Sequence, residues 1–235
     1  MAMNYSEKEL RRLGDKDLAK IISGAHDVFR QRHPDMQDIP LSKVIVAPEA
    51  PKVEITPFTQ EQLEGLRKEG LLPDYNLTRQ SLAALRKARN PFWSTWHKDY
   101  PDFEAVPSRG SAVAFNPDKP FLPESNNKTL EQQLEMVARY NQELQQRVPG
   151  VMAILGEAPD YAELAFTHFK QTGRRLFGSE HGYNYTRTQT QVGSGVADVG
   201  SFGADDGLDV DCWGPAGRGG NLFAAPLVVP VSGTK

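Results

Sequence analysis

The chain carries one cysteine, Cys212, in 235 residues. A single thiol excludes an internal disulfide framework and any multi-cysteine zinc or iron–sulfur site. Long apolar runs are missing as well. No stretch approaches the ~18 uninterrupted residues a membrane helix needs, and mean hydropathy is −0.52. The N-terminal segment has no apolar core behind its charges, so no secretory signal is expected and the reading is cytoplasmic, with no membrane partner. Neither sign of charge dominates. The 27 Lys and Arg against 30 Asp and Glu leave a net −3, too little to hold a whole surface on nucleic acid, although a local patch is compatible. No phosphate loop, nucleophile elbow or HExxH zinc helix is present, and the glycines around Gly217 and Gly220 do not complete GxGxxG.

What is present reads as α+β: a helical N-terminal two-thirds with a proline-rich extended segment, packed on a C-terminal antiparallel β-meander. Residues 1–58 form N-terminal helices plus an extended arm, and 59–235 form the main domain, β-rich over 178–231. Capping-box patterns open helices at Ser6–Glu9, Thr59–Gln62, Thr129–Gln132 and Asp160–Glu163. Another helix opens at Thr78 or Ser81 and stops at Asn90-Pro91. Gly70, Pro149-Gly150 and Gly173 punctuate the ends of three others. Ile39–Phe58 holds four prolines, at 40, 48, 51 and 57, and lacks core periodicity, so it reads as an arm. Ser111–Phe115 and Val151–Leu155 are strand-like, and from Gly178 onward four β-favourable runs follow in glycine-rich sequence.

Three groups of residues carry chemistry. Asp205, Asp206, Asp209 and Asp211 surround a turn and a short strand. Alternate strand residues lie ~7 Å apart on one face, so these carboxylates would suit a hard divalent cation, magnesium or calcium, although no cofactor is firmly implied. The plainer account, and the preferred one, is a hairpin turn followed by the solvated face of an edge strand. Period two then places Leu208, Val210 and Cys212 inward, and Asp209, Asp211 and Trp213 outward. The second group is Lys170, Arg174, Arg175, Tyr183, Tyr185 and Arg187, cations interleaved with tyrosines that would suit a nucleic-acid backbone and bases. Its plainer account is helix-end cations and cross-strand packing. The third is Glu180 with His181, a candidate acid–base pair in a glycine-bounded loop. His168 reads as a packed helix residue.

Pro91–Ser94, Phe121–Thr129, Ala158–Phe166, Arg175–Gly178, Tyr185–Thr188 and Ala224–Pro230 together resemble a group of uncharacterised bacterial proteins, over roughly Ile55 to Pro230. The resemblance implies a bacterial, cytoplasmic protein and no mechanism. The leading expectation is a non-enzymatic binding or assembly module that pairs with itself or with a protein partner. The alternative is a divalent-metal-dependent enzyme acting on a phosphate ester, with the four aspartates on the metal, Arg187 on the phosphate and Glu180 or His181 as acid or base. Nucleic-acid binding ranks third.

Overall fold

The computed structural model describes residues 55–93 and 100–231. The expected helices before residue 54, most of the proline-rich arm, and Trp96 and His97 lie outside the described residues. The end of the arm belongs to the main unit. Thr56 accepts a hydrogen bond from the Ala112 amide at 3.0 Å, and Phe58 is buried.

The described chain runs α1 (Gln60–Lys68), β1 (Leu72–Thr78), α2 (Leu82–Lys87), α3 (Pro101–Ala105), β2 (Gly110–Phe115), α4 (Leu130–Arg147), β3 (Val151–Ile154) and α5 (Ala158–Thr172). A 3-10 turn (Ser179–His181) leads to β4 (Tyr185–Val192), β5 (Gly195–Gly203), β6 (Gly207–Trp213), β7 (Leu222–Phe223) and β8 (Leu227–Pro230). Two four-stranded sheets result, ordered β1-β2-β8-β3 and β6-β5-β4-β7.

This arrangement corrects the expected fold class. The N-terminal two-thirds is not helical, because β1, β2 and β3 lie among the helices and build three of the four strands of one sheet. β1 escapes a sequence reading because Pro73, Asp74 and Asn76 are turn residues by composition. Its burial nevertheless alternates, with Pro73, Tyr75 and Leu77 inward. Proline is tolerated there because β1 is an edge strand. Nor is 178–231 one sheet. β4, β5 and β6 do form an antiparallel meander, but β8 leaves it and inserts between β2 and β3. All four residues of β8 are buried, as an apolar strand without alternation requires.

Local signals hold where they concern caps. Thr59 with Gln62 and Thr129 with Gln132 make reciprocal capping boxes, and Ser81 caps α2. The fourth differs. Helix α5 begins two residues before Asp160, which sits inside the first turn. There it is wholly buried, accepting from the Glu157 amide at 2.9 Å and from Arg109 at 2.8 and 2.9 Å. Glu163, one turn on, reaches β1 instead of a cap. It accepts from the Thr78 amide at 3.0 Å, from the Thr78 hydroxyl at 2.6 Å and from the Ser108 hydroxyl.

Every residue from Ala158 to Phe166 is buried, because α5 lies between the two sheets. Its Tyr161, Leu164, Ala165 and Phe166 share one core with Tyr75, Leu77, Val113 and Phe115 of the first sheet and Val199, Phe202 and Val210 of the second. Its first nine residues are enclosed on every side, which is why the two acids among them, Asp160 and Glu163, are both hydrogen-bonded. The free edge of β3 is sealed by α4: Asn141 accepts from the Ala153 amide at 2.8 Å, and Gln145 donates to the Val151 carbonyl at 3.0 Å. Side chains thus satisfy backbone groups that would otherwise offer an open edge.

Glu163 generates the first prediction. Its replacement by Ala leaves three donors without their acceptor, the buried Ser108 hydroxyl and two on the half-buried Thr78, and destabilises the protein by about 2–4 kcal/mol, read as a shift in the urea midpoint at unchanged slope. A change below about 0.5 kcal/mol would show that solvent replaces the carboxylate.

Candidate functional site

The meander has one apolar and one polar face, and period two sets both. Leu208 and Val210 are buried on the α5 side, with Cys212 packed at its margin. Asp209, Asp211 and Trp213 point the other way, as the alternation predicts. Register brings two cross-strand rows onto this polar face. Tyr185 lies beside Gly200, which lies beside Asp209; Arg187 lies beside Asp198, which lies beside Asp211.

In the first row, Gly200 is required. A Cβ there would come within 2.4 Å of the Asn184 carbonyl oxygen and 2.5 Å of the Tyr185 Cα. The bare glycine lets the Tyr185 ring cross the strand, so that its hydroxyl donates to Asp209 Oδ2 at 2.8 Å. Burial raises the Asp209 pKa while this bond works against the rise. The Tyr185 hydroxyl is itself raised, first by burial and then by Asp209.

In the second row, Arg187 is fully buried. Its three hydrogen bonds go to neutral oxygens: Nε to Gln133 Oε1 at 3.1 Å, Nη1 to the Gly214 carbonyl at 3.0 Å, and Nη2 to the Gly217 carbonyl at 2.9 Å. Gln133, buried on α4, donates from Nε2 to the Ser125 and Leu222 carbonyls at 2.8 and 3.1 Å. Only one amide orientation serves, since a guanidinium cannot accept and a carbonyl cannot donate. Arg187 therefore holds loop 214–221 across the polar face before the chain enters β7, which pairs parallel with β4. The loop passes so close to Trp213 that a Cβ on Gly217 would meet the indole Nε1 at 2.4 Å.

Between sheet and loop lies a cleft of about 140 Å³, lined by Tyr185, Asp198, Asp211, Trp213, Gly219, Asn221 and Leu222. Asp198 is 4% exposed and accepts no hydrogen bond from the described residues. Burial, and secondarily Asp211 opposite, push its carboxyl up to about 7, against the pull of Arg187. Directly opposed residues of an antiparallel pair have Cβ atoms ~4.5–5.5 Å apart, so Asp198, buried, and Asp211, exposed, form a carboxylate pair in the wall of the cleft. Trp213 is 47% exposed at its mouth. A broader depression of about 700 Å³ between α4 and Pro215–Ala216 is lined mainly by carbon, including Leu130, Leu134 and Ala138, and brings no buried charge to its wall.

The sequence-derived candidates separate. Asp205 and Asp206 sit exposed at the β5–β6 hairpin tip, Asp209 is engaged by Tyr185, and Asp211 faces the cleft. Among the described residues no three His, Cys, Asp or Glu side chains converge to hold a metal ion, so the four-aspartate centre is not assembled. Arg187 shares the face of Asp209 and Asp211 but spends its donors on the loop. Glu180 is bound to Arg174 at 2.6 Å, and Arg174 also pairs with Asp118 at 3.0 Å. His181 packs edge-on to Phe121, and burial lowers its pKa. The cation–tyrosine patch is likewise dispersed. Arg174 is neutralised by two carboxylates, Arg175 stacks over Phe169 and Phe202, Tyr183 precedes the strand, and Arg187 is buried. Lys170 stays in the last turn of α5. His168 is a packed residue as expected, its Nδ1 2.9 Å from the Tyr75 hydroxyl.

Sequence reasoning missed Asp198, Gln133 and the loop. One signal for the first was available: Asp198 is the sole charge between Gly195 and Gly203 in a run of small and apolar residues. Compared with known proteins, the chain matches no family model, no curated protein and no solved structure.

Asp198 makes stability depend on pH with a definite sign. Its folded pKa of about 7 stands above the ordinary 3.8, so the folded state holds the proton more tightly than the unfolded one. Stability is full in acid, falls as pH rises from about 4 to about 7, and then levels, a loss of roughly 4 kcal/mol at 1.36 kcal/mol per unit. In Asp198→Asn this component of the pH dependence disappears, so urea midpoints of variant and wild type diverge as pH rises from about 4 to about 7, in the variant's favour. Parallel curves would show that Asp198 is not strained. Arg187→Met removes the neighbouring positive charge, and the Asp198 carboxyl, followed by carbon-detected NMR titration, rises further. An unchanged titration would mean that Arg187 does not act on it.

Proposed function

We propose that the protein is a binding module whose recognition site is the cleft between the polar face of β4–β6 and loop 214–221, and that the group it recognises is positively charged. One observation carries this reading. Asp198 is a buried carboxylate that faces an open cleft, opposite a second carboxylate, with no hydrogen-bond donor among the described residues. Such a group costs stability unless a proton or a cation neutralises it, and strained, shifted groups in clefts mark functional sites. The volume favours binding over turnover. At about 140 Å³ the cleft admits one functional group and is well below the ~300–1,000 Å³ of sites that enclose a whole substrate.

The other two readings draw less support. A phosphate ester would meet two carboxylates where it needs donors, and Arg187 has its donors committed elsewhere. A nucleic-acid backbone would find Arg174 already paired with Asp118 and Glu180. Assembly with a protein partner fits the binding reading, with the partner supplying the charged group.

The test is an NMR titration of the full chain at about pH 8, where Asp198 is ionised. The probes are potassium, magnesium, calcium and butylammonium on one side, and acetate and inorganic phosphate on the other. At least one cation is expected to move the Trp213 indole N–H signal saturably, and both anions to leave it in place. A response to phosphate alone, or to none of the probes, would overturn the reading.

A further inference from the structure

Resting on that reading, we propose that the cleft takes an organic monocation on a slender apolar stem: the ammonium or guanidinium end of a lysine- or arginine-like group. The cleft brings together the two kinds of surface such a ligand needs. Asp198 and Asp211 lie opposite one another on adjacent strands, the first buried and the second exposed. Asp198, more than nine-tenths buried and with no donor among the described residues, presents acceptors that an ammonium or guanidinium N–H fits directly. Beside the pair, the lining includes the half-exposed Trp213, the buried Leu222 and the bare backbone of Gly219. An indole face attracts a cation and packs against methylenes, which a bare metal ion would leave unused.

The donor set also discriminates against hard divalent ions. Calcium takes about 6–8 oxygen ligands, whereas the cleft supplies two carboxylates, with Asp209 held by Tyr185 and, among the described residues, no third acidic or imidazole group converging. The fixed charge of Arg187, one strand from Asp198, balances one carboxylate and leaves the pair with room for about one further positive charge. A dication would meet that guanidinium without enough anion around it. A volume of about 140 Å³ holds a charged head and a short stem and no more.

Such a head comes either from a free small amine or from a side chain on a partner polypeptide, and the experiment separates the two. Isothermal titration of the full chain at about pH 8 uses butylammonium, butylguanidinium, a lysine residue blocked at both ends by neutral alanine amides, potassium, magnesium and calcium. Butylammonium and butylguanidinium are expected to bind saturably. Asp211→Asn, which alters an exposed position and leaves the fold intact, is expected to weaken both at least about tenfold, as is Asp198→Asn. Trp213→Ala is expected to weaken butylammonium while leaving any potassium response unchanged. Binding of the blocked lysine in addition assigns the source to a partner's side chain; its failure beside bound butylammonium assigns it to a free amine. Magnesium or calcium binding that depends on Asp198, without the organic cations, overturns this inference and leaves the cation-binding reading standing. Silence from every cation overturns both.

Discussion

The polar half of this protein depends on the placement of one guanidinium. Arg187 is fully enclosed, yet among the described residues it reaches no carboxylate; Gln133, Gly214 and Gly217 accept its hydrogen bonds. Burying a cation among neutral dipoles is costly unless its hydrogen bonds are complete and a counter-charge is near. Each of its three guanidinium nitrogens makes one hydrogen bond, and Asp198 in the adjacent register position supplies the counter-charge. The arrangement fixes three otherwise independent parts. Helix α4 is anchored through Gln133, the glycine-rich loop through two of its carbonyls, and the sheet through β4. The loop is held at other points too: its Pro215 and Gly219 carbonyls accept from the Leu130 and Asn127 amides at 2.9 Å, and its Gly220 carbonyl from the Asn126 side chain. Arg187 adds the bonds that tie the loop to the sheet itself.

The packing of α5 explains why that anchor is so rigid. Tyr161 donates to the Ala225 carbonyl and accepts from the Gly156 amide at 2.9 Å, so the helix grips the segment that links β7 to β8. Thr190 of β4 donates to Glu157 at 2.6 Å, tying the start of the same helix to the second sheet. The chain crosses from one sheet to the other between β7 and β8, and α5 clamps that crossing from inside. The strand bearing Arg187 is therefore held on its inward face by threonine hydroxyls and apolar packing, and on its outward face by the guanidinium itself.

How much of this could be read from the sequence depended on the range of the interaction. Caps and turns were legible at Thr59, Ser81, Thr129 and Gly173, because their signals lie within a few residues. The inward and outward faces of β6 were legible because Leu208 and Asp209 cannot exchange places without burying a carboxylate. The partner of β8 was not. Leu227–Val229 is apolar enough for the centre of either sheet, and only the non-local pairing with β2 and β3 decides. Arg187 reads locally as one more cation among tyrosines, since nothing local announces that loop 214–221 folds back over it. Asp198 has the local look of one polar residue in a strand. Its meaning comes from Asp211 opposite and from the missing donor, neither of which is a property of its neighbours in sequence.

That missing donor is the strongest argument that the cleft is for something. Asn at position 198 would fit the same space, relieve the repulsion from Asp211 and remove the penalty of an ionised buried acid. A structure shaped only for stability would favour it. Keeping aspartate makes sense if the charge is neutralised in use, and the surroundings restrict what can do so. Arg187 is close enough to stop the pair from carrying two full uncompensated charges, and too committed to the loop to quench Asp198 by direct contact. The result is a site held at the margin of ionisation near neutral pH, open at one end, with Trp213 beside the entrance. A proton fills it in acid. Above that range the ionised pair repels anions and favours a ligand that can supply one positive charge and an apolar surface for the indole.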